Sequence, residues 1–106
     1  MPKYLFEASY TPEGVRGLKE AGASSRAKAV NDMATALGGS LESFHFAFGD
    51  VDAYVVVDLP DDEAAAAAAF TVGASPMTKV RTTKLLTLEE ADGALERAVS
   101  YRPPGS

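Results

Sequence analysis

Residues 40–59 read SLESFHFAFGDVDAYVVVDL, and the way this stretch folds back on itself decides the architecture of the chain. Its two halves, 40–48 and 51–59, are rich in aromatic and β-branched residues and alternate in polarity, the period-two pattern of half-buried strands. Between them, Gly49-Asp50 is a tight-turn pair. A two-residue turn at that step sets the register and with it the faces. Phe44, Phe46 and Phe48 then share a face with Ala53, Val55 and Val57, an almost wholly apolar set that belongs under helices. Ser43, His45 and Ala47 share the other face with Asp52, Tyr54, Val56 and Asp58.

Working outward, residues 3–10 (KYLFEASY) form a further alternating strand. Burying Glu7 under helices is costly, so Tyr4, Phe6, Ala8 and Tyr10 go to the core, and Leu5, Glu7 and Ser9 to the second face. Thr11-Pro12-Glu13 reads as a helix start: a capping hydroxyl, a proline with no N–H to waste, and an acid at the positive end of the dipole. Gly14, Gly17 and Gly22 weaken that helix, and Ala23-Ser24-Ser25 offers a second cap. Ala27, Val30, Met33 or Ala34, and Leu37 continue at helical spacing until Gly38-Gly39 stops them. Pro60-Asp61-Asp62-Glu63 opens a helix with acids at its N-terminus, built on the alanine run 64–69, with Gly73 as its stop. Residues 77–86 (MTKVRTTKLL) form a last strand. Thr87-Leu88-Glu89-Glu90 fits a capping box, ahead of a stripe of Leu88, Ala91, Leu95 and Ala98 or Val99.

The order is therefore βαββαβ with an added C-terminal helix. This is an α+β chain of ferredoxin-like type, with an antiparallel four-stranded sheet and helices on one face. One domain over residues 1–99 is expected, followed by a flexible Pro-rich tail at 100–106. At 106 residues such a domain buries roughly two-thirds of the surface its unfolded chain exposes, enough to fold without staples. The sheet's second face, with Leu5, Tyr54 and Val56 set among Glu7, Ser9, His45 and Asp52, is too apolar for open water and too polar for a dry core. A homodimer, or a multiple of dimers, with facing sheets covers it in both copies.

Composition narrows the function. Cysteine is absent and His45 is the single histidine, so a thiolate nucleophile, a disulfide framework or a built-in transition-metal site is not expected. No cofactor is indicated. A net charge of −5 works against phosphate backbones, so nucleic acid is not the expected partner. The basic residues Lys79, Arg81 and Lys84 read as a charged edge strand that resists aggregation. The absence of a leader pattern and of a membrane-length apolar run points to a cytoplasmic protein away from the membrane.

Four segments, MPKYLFEASYTPEGVRGL, GASSRAKAV, LESFHFAFGDVDAYVVVDLP and VRTTKLLT, resemble the GYD domain proteins over roughly residues 1–95. The resemblance implies a dimeric α/β barrel and brings no established reaction with it. Gly49 and Asp52 stand where the family's signature glycine and aspartate are expected, with Val51 in place of the tyrosine. Turn chemistry accounts for both residues without a catalytic role.

Two constellations can carry chemistry. Glu7, His45 and Tyr54 put a carboxylate, an imidazole and a phenol on the open face, with Ser9 and Asp52 nearby as further ligand contacts. Tyr54 is expected to bridge the other two, which lie about two strand spacings, ~10 Å, apart. Ser24, Ser25 and Arg26 can hold a small anion after Gly22. The expected function is a small oligomeric module that binds an organic ligand at the open face or dimer cavity. The alternatives are a cofactor-free isomerase or oxygenase and a purely structural assembly protein.

Overall fold

The computed structural model describes residues 1–105, so Ser106 of the expected tail lies outside the described residues. The elements run β1 (Lys3–Tyr10), α1 (Pro12–Ala21), α2 (Ala23–Ala36), β2 (Ser40–Phe46), β3 (Ala53–Asp58), α3 (Asp62–Gly73), β4 (Thr78–Leu85) and α4 (Leu88–Leu95). The four strands form one antiparallel sheet in the order β2-β3-β1-β4. This is an α+β domain with an open sheet, and its order and connections are compatible with a ferredoxin-like fold.

Thr11 caps α1, its hydroxyl accepting from the Gly14 amide, and Pro12 takes the first helical position. The Thr11 amide also donates to the Met77 carbonyl at 3.0 Å, which ties the start of α1 to the start of β4. Gly22, at φ 88°, separates α1 from α2. It is also the residue at the cap position of α2, and no side chain bonds there. The second cap expected from Ser24 and Ser25 is thus not formed; glycine supplies the bend and both hydroxyls stay in solvent. At the other end of α2 the chain turns so closely that a Cβ on Gly39 would lie 1.9 Å from the Asp58 carbonyl oxygen.

The core lies between the sheet and the helices α2 and α3. Tyr4, Phe6 and Ala8 of β1 and Ala53, Val55 and Val57 of β3 meet Val30 and Ala34 of α2 and Ala65 and Ala68 of α3. The alanine run allows this: Ala65 and Ala68, one turn apart, bury their methyls while Ala66 and Ala67 face out. Leu59, at the β3–α3 junction, is wholly buried. Asp61 caps α3 through the Ala64 amide at 2.8 Å. The buried Tyr4 reaches the first turn of α3, its hydroxyl donating to Asp62 Oδ1 at 2.6 Å. Lys84 pairs with the same carboxylate oxygen at 2.9 Å.

The 40–59 hairpin keeps its expected register, with Phe44 opposite Val55, His45 opposite Tyr54 and Phe46 opposite Ala53. Two details differ. The strands are shorter than 40–48 and 51–59, and the last rung is Ala47 N–H to the Asp52 carbonyl, so Phe48–Val51 form a four-residue loop in place of the tight turn. Asp52 and Asp50 are drawn toward β1: the Asp52 amide donates to the Ala8 carbonyl, and Ser9 Oγ to the Asp50 carbonyl. In consequence nothing covers Phe48, which is fully exposed, and Phe46 is 41% exposed against the rings of Tyr10 and Phe44. Of the three phenylalanines placed in the core from sequence, only Phe44 packs against it.

The C-terminal helix α4 forms with its full capping box, Thr87 and Glu90 bonding each other's backbone. It ends at Leu95, so Ala98 and Val99 fall beyond the helix they were expected to extend. No residue of α4 is buried, and Leu88 and Leu95 of its stripe face solvent.

Candidate functional site

Alternation along the strands decides what the uncovered face of the sheet carries. In β1 the buried residues are Tyr4, Phe6 and Ala8, so Leu5, Glu7 and Ser9 point to the other side, each half-buried. In β3, Tyr54, Val56 and Asp58 do the same. Ladder pairing then sets His45, Tyr54, Glu7 and Arg81 in one row across all four strands. Tyr54 lies between Glu7 and His45, as expected. Neighbours in such a row have Cβ atoms ~5 Å apart, and the two ends lie three strand spacings, ~14 Å, apart. The next row toward the hairpin tip holds Asp52, Ser9 and Lys79; the next one away holds Ser43, Val56, Leu5 and Thr83.

Arg81 and Lys79 were read from sequence as an edge-strand charge pattern only. β4 is an edge strand, yet its alternation sends Thr78 and Val80 inward, which turns Lys79 and Arg81 onto the open face beside Ser9 and Glu7. That inward pair was the available signal. Lys84, by contrast, reaches Asp62 on the helix side. The β1–β4 side of the face and the hairpin tip enclose a concavity of about 350 Å³ lined by Glu7, Ser9, Asp50, Val51, Lys79 and Arg81. His45 and Tyr54 stand outside it, toward β2. Among the described residues no ion pair joins Glu7 to Arg81, and no hydrogen bond links the row's side chains. A carboxylate, a phenol, an imidazole and a guanidinium are all left with open bonding capacity.

Asp52 has a different occupation. Its carboxylate accepts the Tyr10 amide at 2.8 Å, which holds the hairpin tip against β1. At the far end of the face, Lys3 bonds Asp58 at 2.8 Å and also Glu42, and these two carboxylates hold its ammonium above the usual lysine range.

Of the candidate anion residues, Ser24 is exposed, while Ser25 and Arg26 line a cleft between α1 and α2, on the opposite side of the sheet. Tyr10 forms part of its floor; burial pushes its phenol above the usual tyrosine range, and the nearby Arg26 guanidinium pulls it back. Among the described residues there is no group of three or more acidic or histidine side chains that could hold a metal ion, and no helix is long and apolar enough to cross a membrane.

A four-stranded antiparallel sheet with helices on one side and a mixed polar row on the other defines an α+β domain with an open sheet. The family model for the GYD domain matches residues 4–95, and the chain belongs to the GYD domain family. Searches among curated proteins and among solved structures returned no match.

Proposed function

We propose that this chain is an oligomeric binding module. Two copies set their open sheets face to face as a dimeric α/β barrel, and a small polar organic ligand sits between them in the cytoplasm. The observation that carries the reading is the His45–Tyr54–Glu7–Arg81 row on a face that no element among the described residues covers. Leu5 and Val56 supply apolar area for a contact, and the row supplies donors and acceptors for a ligand. A carboxylate beside a guanidinium suits a ligand with both donor and acceptor groups.

A thermal-shift screen of small hydroxylated aromatic compounds tests it, run on the wild type, His45→Ala and Tyr54→Phe. Hits that stabilise the wild type and lose affinity in both variants, with the urea midpoint unchanged, support the reading. A hit that stabilises all three proteins equally places its ligand elsewhere.

A further inference from the structure

The helix side of the sheet is not fully packed. Three neighbouring hollows of about 210, 300 and 40 Å³ run between α1, α2 and α3, and Arg26 and Thr78 line every one of them. Arg26 is half-buried, and among the described residues it pairs with no carboxylate. In a chain with 15 acidic residues and a net charge of −5, a partly desolvated guanidinium left without an anion is conspicuous. The Tyr10 phenol lies beside it.

The 210 Å³ cleft between α1 and α2 has an apolar lining around this polar corner, with Leu18, Ala29 and Met77 in its wall. Part of the space exists because α1 carries glycine where a side chain would fit. Gly14 is required, since a Cβ there would meet the Met77 carbonyl oxygen at 2.2 Å. Gly17 is not: a Cβ at that position has no atom within 4 Å, and the residue lines the cleft. A helix-interior glycine costs about 1 kcal/mol against alanine. What Gly17 leaves in exchange is room.

We infer that this cleft binds a small organic monocarboxylate, its compact apolar body against Leu18 and Met77 and its carboxylate on Arg26. The guanidinium fork matches a carboxylate with two parallel N–H bonds, and the Tyr10 hydroxyl can donate a third. The volume admits a body the size of a benzene ring and excludes a nucleotide. The site lies on the opposite side of the sheet from the His45–Tyr54–Glu7–Arg81 row, so the two readings stand or fall separately.

The test uses sodium benzoate as probe, followed by amide chemical shifts of the full chain, with butyrate, benzamide and inorganic phosphate in parallel. Saturable benzoate shifts centred on Tyr10, Leu18, Arg26 and Ala29 are expected, with benzamide and phosphate each at least tenfold weaker. Arg26→Gln should weaken benzoate at least tenfold. Gly17→Leu should abolish the shifts by filling the cleft, while Gly17→Ala keeps binding and raises the urea midpoint, which separates occlusion from misfolding. His45→Ala should leave benzoate binding unchanged. No saturable shift with either carboxylate overturns the proposal, as does full binding by Gly17→Leu. Phosphate binding as well as benzoate shows that the apolar body contributes nothing, and that also overturns it.

Discussion

At the scale of single residues, what a side chain costs to remove follows from where alternation and local bonding put it. Phe6 is 7% exposed in the centre of the sheet, whereas Phe46, on the same face, is 41% exposed. Phe6→Ala should cost about 3–5 kcal/mol and Phe46→Ala about 1–2 kcal/mol in urea denaturation, because the second ring leaves water only in part. Sequence placed these two alike, since register is legible in a pattern and the reach of the helical layer is not. Glu42 shows the same limit. Strict alternation back from Phe44 would send its carboxylate to the core; instead the register shifts between Leu41 and Ser43, Leu41 packs on the core, and Glu42 swings out to Lys3. Tyr4 gives a test in pH. Burial first, then the bond to Asp62, push its phenol up to about 12. The fold thus favours the neutral form, a contribution fully present below the unfolded tyrosine value near 10 and lost as pH rises through about 12. The stability gap between wild type and Tyr4→Phe should be constant up to the unfolded value and narrow above it, read as urea midpoints across that range. A gap that stays flat would mean that the phenol is not held neutral.

At the scale of elements, caps were the most readable feature, because they are local. Thr11-Pro12 and the Thr87/Glu90 box form where the sequence sets them, and of the acids 61–63 it is Asp61 that caps α3. The exception, Gly22 in place of a serine cap, arises because the sharp turn between α1 and α2 takes a positive φ that serine adopts only with strain. What could not be read was whether a capped, striped helix has anything to pack against. Among the described residues α4 buries none of its side chains, so its eight residues are held mainly by capping and propensity, a marginal length for an isolated helix. Thr87→Ala removes about 1 kcal/mol from that helix and nothing from the core. Hydrogen exchange at residues 91–95 should speed up about fivefold, while the urea midpoint of the sheet stays put. A fall in the global midpoint would show that α4 is coupled to the core. Of the candidate site, the strands make Glu7, Tyr54 and His45 legible together; Arg81 is not, because Lys79, Arg81 and Lys84 fall on both faces of an edge strand, where charge already has a protective use.

At the scale of the whole molecule, the radius of gyration is 16.8 Å and the extents are 55 × 35 × 22 Å, against ~13 Å for the radius of a compact domain of this length. The excess agrees with a C-terminal segment that has no buried residue between Leu86 and Gly105, so the domain shows two uncovered apolar surfaces, the open sheet and the α4 stripe. They make different demands. The stripe is narrow, and Leu88 and Leu95 stand on a helix that nothing holds in place. The sheet face is broad and rigid, with Val56 and Leu5 paired at its centre and polar rows on either side. Ordering a loose helix at an interface costs conformational entropy, whereas pairing a preformed sheet costs little, so the sheet should dominate association. Val56→Glu puts a charge at the centre of that face. In a monomer the residue borders solvent and the change should alter stability by less than about 0.5 kcal/mol. In a face-to-face dimer it buries two like charges without partners, a penalty of several kcal/mol that the contact cannot absorb. Light scattering at micromolar concentration should give the wild type a mass twice the 11.1 kDa of the chain and Val56→Glu the mass of one chain, with both proteins folded by circular dichroism. Leu95→Glu should leave the mass doubled. If instead Leu95→Glu yields the single chain and Val56→Glu the pair, association runs through α4, and the polar row on the sheet faces water.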